Sequence, residues 1–250
     1  MGKIERQKIE EINHAKLQFF TNITHELLTP LSIISASVDE LKEEIPSSSR
    51  LLQVMENNTS RLIRLIQQIL EFRKVENGKL KLKVSCGNIS LFLKNSVLAF
   101  APLVKKKKLS ISLEATEECS GYFDVDKLDK IIYNLLSNAA KYTPEGGAIT
   151  LCQSYDEETG LLKITVNNPG ECIPEEKLAH LFERFYEGEY RKFHTIGTGI
   201  GLSLTKDLVA LHHGTILAFS NNEEGNTFVE QIPVRREGFQ EEEICKNVGK

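Results

Sequence analysis

The chain has 250 residues, enough for one large or two modest domains with a buried core. Its 40% hydrophobic and 26% charged residues are the proportions of an ordinary globular protein, and a net charge of -4 argues against nucleic acid as a partner, which requires a clustered basic surface. No apolar run reaches the ~20 residues of a membrane span and the start lacks a signal peptide, so a cytoplasmic location is expected, with any membrane attachment made through segments absent from this chain. The five cysteines (Cys86, Cys119, Cys152, Cys172, Cys245) are scattered without a CxxC pair or a histidine at metal-ligand spacing, a set expected to stay reduced.

In chain order, the first signal is a charged helical pattern, GKIERQKIEEINHAKLQ, which reads as a helix continuing from something longer. Leu17, Phe20, Thr24, Leu27, Leu31, Ile34, Val38 and Leu41 then recur at spacings of three and four, a heptad seam. Pro46 and the serines of IPSSS break that helix and cap the next, whose seam is Leu52, Met55, Thr59, Leu62, Ile66 and Ile69. Ile23, Ile33, Ile63 and Leu65 flank the seams. Pairing two such hairpins into a four-helix bundle covers those flanks, so a homodimer is expected.

Glu76-Asn77-Gly78 stops the second helix, and the alternation of KLKLKV over 79–84 predicts a strand. Beyond it the pattern predicts a helix over 89–107, a strand over 109–115, a helix over 125–142 and strands over 147–154 and 161–167. After an irregular stretch come a helix over 199–213 and strands over 214–220 and 226–232. The basic run Lys105–Lys108 falls at a helix end, where the helix dipole favours positive charge. The expected organisation is an all-α hairpin over 1–76, a linker over 77–86, an α+β two-layer sandwich over 87–236 and a polar tail or linker over 237–250.

Four segments carry candidate chemistry. In FTNITHELLTPL, Phe20 to Leu31, His25 lies one residue past the seam and forms an exposed pair with Glu26, Thr29 sits one helical turn on, and Pro30 interrupts the backbone hydrogen bonding in a kink that the heptad runs through. In NLLSNAAKYTP, Asn134 to Pro144, Asn134, Asn138 and Lys141 line one helix face beside Tyr142 and suit a metal-bound triphosphate. Gly197, Gly199 and Gly201 with Leu202 open a helix whose N-terminus offers unpaired N–H groups to an anion, without the features of a P-loop or a Rossmann strand. VNNPGECIP, Val166 to Pro174, runs a strand into a glycine-containing turn, and LFERFY, Leu181 to Tyr186, sets aromatics around Arg184. Taken singly, each has a plainer alternative: a surface histidine, a polar helix face, a lone glycine motif, core packing.

Together and in this order, from about Leu17 to Val234, the segments resemble the histidine kinase family with its H, N, G1, F and G2 boxes. The wording of the first box and of LHHGTI, Leu211 to Ile216, is similar to hybrid sensor kinases of Bacteroidetes. The resemblance implies a dimerisation and phosphoacceptor hairpin joined to a Bergerat-type ATP-binding sandwich. It implies His25 as phosphoacceptor, Glu26 as its acid/base partner and Asn138 as the Mg²⁺ ligand. Asn134 and Lys141 would lie near the ATP phosphates, Tyr142 against the adenine, and Arg184 would reach toward the phosphates, with Gly188 to Ile196 as a lid. The phosphoryl group would pass to an aspartate of a response-regulator receiver domain, and the HExxT pattern ending at Thr29 would add phosphatase action on that receiver.

Three positions depart from the family pattern. Leu28 stands where Arg is usual; Asn168 replaces the Asp of DxGxG, and Cys172 its second glycine, leaving Asn168-Pro169-Gly170-Glu171-Cys172. Asn168 can still accept a hydrogen bond from the adenine amino group through its carbonyl oxygen. Asn168 and Cys172 support the alternative of a non-catalytic dimeric scaffold with a degenerate nucleotide module. A sandwich ATPase of the gyrase or chaperone type would lack the heptad hairpin.

Overall fold

A computed structural model describes residues 23, 26, 27, 29–34, 36, 37, 49–76, 78–184, 186 and 199–245. The chain divides into two compact units, Met1–Leu80 with Glu183–Leu204, and Lys81–Phe182 with Thr205–Lys250.

In the first unit every described residue between 23 and 37 is helical, and we call this segment α1. The second helix, α2, spans Ser49–Glu76 and ends where Gly78, at φ 61°, bonds back to Val75 O. Pro30 is buried within α1, and the helix continues through it to residue 34. The expected seam is only partly covered by a single chain: Leu31 is 53% and Ile66 43% exposed, with the flanks Ile33 at 37% and Ile63 at 49%. Leu17, Phe20, Thr24, His25 and the turn at Pro46 lie outside the described residues.

The second unit holds β1 (Ser85–Asn88), α3 (Ile89–Lys106), β2 (Ser110–Ala115), β3 (Ser120–Phe123), α4 (Val125–Tyr142), β4 (Ala148–Asp156), β5 (Leu161–Asn168) and α5 (Glu175–Leu178). The closing elements are α6 (Gly201–Leu211), β6 (Thr215–Asn221) and β7 (Gly225–Pro233). Five strands pair in the order β2-β4-β5-β7-β6, and β1 pairs with β3 in a small second sheet. The large sheet is antiparallel except for the parallel β2–β4 pair.

One face of this sheet is apolar and one polar, because strand side chains alternate. On β5, Leu162, Ile164 and Val166 are fully buried while Lys163 between them is exposed. The buried face meets Leu128, Ile131, Ile132, Leu135 and Leu136 of α4, none more than 1% exposed. α3 packs beside α4, with Phe100 and Tyr133 edge to face at 5.6 Å. Each such Leu or Ile contributes about 1.5–3 kcal/mol by burial, so the helix–sheet interface holds this unit together. The architecture is the two-layer α+β sandwich that the sequence predicts, following a helical hairpin.

Three local expectations are corrected. Residues 79–83 are not a strand: the alternation buries Leu82 and Val84, but Lys83 N–H is taken by the Asp124 carboxylate at 2.9 Å and Val84 alone forms a bridge, to Ile244. Alternation reports which face is covered, not whether a ladder partner exists. The stretch at 239–245 is not a fraying tail, since Val84 N–H donates to Glu243 O at 2.7 Å, Cys245 N–H donates to Val84 O at 2.8 Å, and Phe239 packs with Leu82 and Val84. The last helix is two residues shorter at each end than expected: Gly199 takes a left-handed φ of 64° before it, and His213, at φ 60°, turns the chain after it. β1, β3 and α5 were not legible in the sequence, the two strands being four residues each around a glycine and the helix a single turn.

Candidate nucleotide and phosphoacceptor site

The N-terminal end of α4 is set by Asp124, whose buried side chain accepts from Lys127 N–H at 3.1 Å as well as from Lys83 N–H. Its own N–H donates to His212 Nε2 at 3.3 Å, and the other ring nitrogen of His212 bonds Leu208 O at 3.0 Å. Nδ1 therefore carries the proton. Burial pushes the His212 pKa down, which keeps the ring neutral. This buried junction fixes α4 against the end of α6.

With its apolar face committed to the sheet, α4 presents Asn134, Asn138, Lys141 and Tyr142 half-buried along its other face. Asn134 Nδ2 donates to Thr205 Oγ1 of α6 at 3.3 Å. The Lys141 ammonium sits 5.0 Å from the Tyr142 ring centroid. The helix ends at Thr143, whose N–H and Oγ1 both bond Ala139 O.

The turn after β5 closes on this end of α4. A Cβ added at Gly170 would lie 3.1 Å from Tyr142 O and 3.0 Å from Asn226 Nδ2, so a side chain there would press on both neighbours. Asn168 is buried, and its Nδ2 uses one of its two hydrogens to donate to Pro169 O at 3.0 Å. Cys172 is half-buried, its thiol 3.9 Å from Ile173 O.

In the first unit Glu26 is 7% exposed, correcting the expectation that it stands exposed beside His25, whereas Thr29 is exposed. The Arg184 guanidinium stacks over Phe72 of α2 at 5.3 Å. Gly201 and Leu202 are half-buried at the start of α6, where Leu204 N–H reaches Ile200 O at 2.8 Å. His25, Gly197 and the expected lid at 188–196 lie outside the described residues.

Among the described residues no group of three or more His, Cys, Asp or Glu could hold a metal by itself. The donor set on α4, two carboxamides and an ammonium, fits Mg²⁺ that arrives on a triphosphate and keeps its waters and phosphate oxygens.

Residues 15–78 match the His Kinase A (phospho-acceptor) domain, and residues 123–236 match the histidine kinase-, DNA gyrase B- and HSP90-like ATPase family. The chain belongs to the histidine kinases. It is 38% identical to Histidine kinase P4 of Formosa agariphila over 99% of this chain, and spans 18% of that protein's length. Among solved structures it resembles histidine kinase AdeS of Acinetobacter baumannii, with a TM-score of 0.62 and 21% identity over 84% of this chain and 98% of that one. Histidine kinase ThkA, solved in complex with the response regulator TrrA, gives a TM-score of 0.59 at 20% identity over 95% of this chain and 68% of that one. At these identities the two structures speak to the fold alone.

In this histidine kinase the sequence motifs on α4 and after β5 come together in one unit, and four further residues join them that motif reading missed. Asp124 and His212 fix α4, while Ser220 and Asn226 hold the turn after β5. Asp124 had a local signal, an N-cap residue before an apolar helical run, and His212 lies within LHHGTI without a role assigned to it there; Ser220 and Asn226 act across the sheet.

Proposed function

We propose that the chain binds Mg-ATP on the α4 face, phosphorylates itself on His25 and passes the phosphoryl group to an aspartate of a receiver domain. The observation that carries this reading is the half-buried row Asn134, Asn138, Lys141 and Tyr142, which meets the buried Asn168–Gly170 turn at Tyr142 O.

In this reading Asn138 binds the metal, while Asn134 and Lys141 hold the phosphates and Tyr142 packs on the adenine. The Asn168 carbonyl accepts from the adenine amino group, and Gly170 lets the backbone approach the base. Gly197, Gly199, Gly201 and Leu202 shape the phosphate end, and Arg184 leaves Phe72 to meet the phosphates. Mg²⁺ neutralises charge on the triphosphate. Neutral His25 attacks the γ-phosphorus in line: an N–P bond forms as the bond to the ADP oxygen breaks. Glu26 accepts a hydrogen bond from the other ring nitrogen, which holds the tautomer and stabilises the cation that develops. Its burial strengthens that interaction relative to water.

The apolar residues left exposed on the single hairpin, Leu31, Ile33, Ile63 and Ile66, support a homodimeric four-helix bundle. Among the described residues no helix is long and apolar enough to cross a membrane; we place the chain in the cytoplasm as part of a membrane-attached sensor. The domains in this reading are a hairpin to residue 76, a linker over 77–86, a nucleotide-binding domain over 87–236 and a tail or linker over 237–250, in which Phe239 packs on Leu82 and Val84.

Incubation with γ-labelled ATP tests the kinase reading. Wild type is expected to take up an acid-labile label, and His25→Ala none. A wild type that stays unlabelled would establish the scaffold alternative, and label retained in His25→Ala would move the phosphoacceptor elsewhere.

Thr29 supports a second activity. It is exposed on α1, four residues beyond His25, where its hydroxyl can orient water toward an aspartyl phosphate on a docked receiver. Thr29→Ala is expected to leave labelling of His25 intact and to slow dephosphorylation of the cognate receiver about tenfold or more. Equal loss of both activities would indicate a structural role beside Pro30.

A further inference from the structure

We infer that Asn226 and Ser220 are positioning residues that hold the turn at 168–173 in the shape nucleotide binding requires; this rests on the proposed ATP site. Neither residue belongs to the motifs identified in the sequence. Asn226 lies on β7 directly opposite Ser220 on β6 and Asn168 on β5, so it stands between the hairpin and the turn. It is 5% exposed, and both ends of its carboxamide are engaged. Nδ2 donates to Glu171 O at 3.3 Å, while Oδ1 accepts from Ser220 Oγ at 2.7 Å. Ser220 Oγ in turn accepts from Ile173 N–H at 2.8 Å.

The result is a continuous chain of hydrogen bonds, Glu171 O to Asn226 to Ser220 to Ile173 N, that grips the turn at two points two residues apart. A Cβ at Gly170, between Asn168 and the gripped segment, would lie 3.0 Å from Asn226 Nδ2 and 3.1 Å from Tyr142 O. The turn is thereby fixed to the strand hairpin and lies close to the end of α4. The backbone ladder of β6 and β7 is complete without these side chains, running from Thr215↔Gln231 to Asn221↔Gly225. Their bonds to Glu171 and Ile173 therefore serve the turn rather than the hairpin. A loosened turn would cost order on binding, and that cost appears in affinity rather than in the chemical step.

The test uses the whole chain, a fluorescent ATP analogue with Mg²⁺, and the labelling rate at saturating ATP. Asn226→Ala and Ser220→Ala are expected to weaken nucleotide binding about tenfold, the scale of one or two lost hydrogen bonds. The saturated labelling rate should stay within about twofold of wild type. Asn226→Asp keeps the size and the acceptor toward Ser220 but turns the donor to Glu171 O into a second acceptor, so it should bind as poorly as Asn226→Ala. Ser220→Thr keeps the hydroxyl and should restore affinity. Folded variants, judged by circular dichroism, that bind like wild type would overturn the inference while leaving the ATP site standing. Equal loss in Ser220→Ala and Ser220→Thr would also overturn it. A wild type that binds no nucleotide would remove both. Should Asn226→Ala fail to fold, the pair at the half-buried Ser220 decides the matter.

Discussion

Asn138→Ala is expected to abolish autophosphorylation, with the label on His25 falling by a factor of about 10²–10³, the usual cost of removing one group that stabilises charge in a transition state. Asn138 lies half-buried on the open face of α4, away from the apolar row Leu128, Ile131, Ile132, Leu135 and Leu136 that holds the helix to the sheet. Alanine has a higher helix propensity than asparagine, so the helix itself should be unharmed. The effect separates cleanly from misfolding: the thermal midpoint should barely move while labelling disappears. Nucleotide affinity adds a second readout. Wild type should bind the nucleotide more tightly with Mg²⁺ than with a chelator, and Asn138→Ala should show little difference between the two. Near-normal labelling in Mg²⁺ would mean that the metal is held elsewhere and that the reading of this helix face is wrong.

Glu230→Leu is expected to stabilise the protein, more so as pH rises. Glu230 lies on the core face of β7, opposite Ile164 and Ile216, and is 0% exposed. Among the described residues neither carboxyl oxygen has a hydrogen-bond partner. Burial pushes its pKa up to about 8 from an ordinary 4.5, so the folded state holds a proton that the unfolded state has released. The sign follows from that order. The stability associated with the neutral carboxyl is fully present below pH 4.5 and is lost as pH rises to about 8, above which both states are charged. Across that window the loss amounts to a few kcal/mol. His212 acts in the opposite sense at the acid end, because its depressed pKa makes the fold lose stability as pH falls below the ordinary 6.5. The difference between wild type and Glu230→Leu isolates the carboxyl, since His212 is common to both. Unfolding midpoints at pH 5, 6.5 and 8 should diverge with pH, the leucine variant standing highest above wild type at pH 8. Glu230→Gln should remove the carboxyl's share of the pH dependence while leaving a buried amide to be satisfied. Parallel pH profiles for wild type and Glu230→Leu would show that the carboxyl has found a partner in solution.

Sequence by itself determined the elements whose cause is local. The bounds of α4 were readable because an N-cap aspartate, an apolar 3.6-residue period and a following Thr-Pro lie within one stretch of chain. The hairpin was readable from its heptads, and β5 and β7 from alternation, which depends only on which side chains face the core. The row Asn134, Asn138 and Lys141 was readable for the same reason: helical spacing fixes a common face whatever the helix packs against. What only the tertiary structure decided were contacts between segments distant in sequence. KLKLKV looked like a strand, but its neighbours turned out to be the Asp124 side chain and the segment around Ile244. Glu26 looked exposed beside the seam and is buried. The grip of Asn226 and Ser220 on the turn after β5 depends on strand order and register, as does the burial of Glu230 among isoleucines. Spacing along the chain carries no record of which strand will lie beside which. That choice is made when the sheet closes on α3 and α4 and buries one face, and the polar side chains caught there must then find partners or go without.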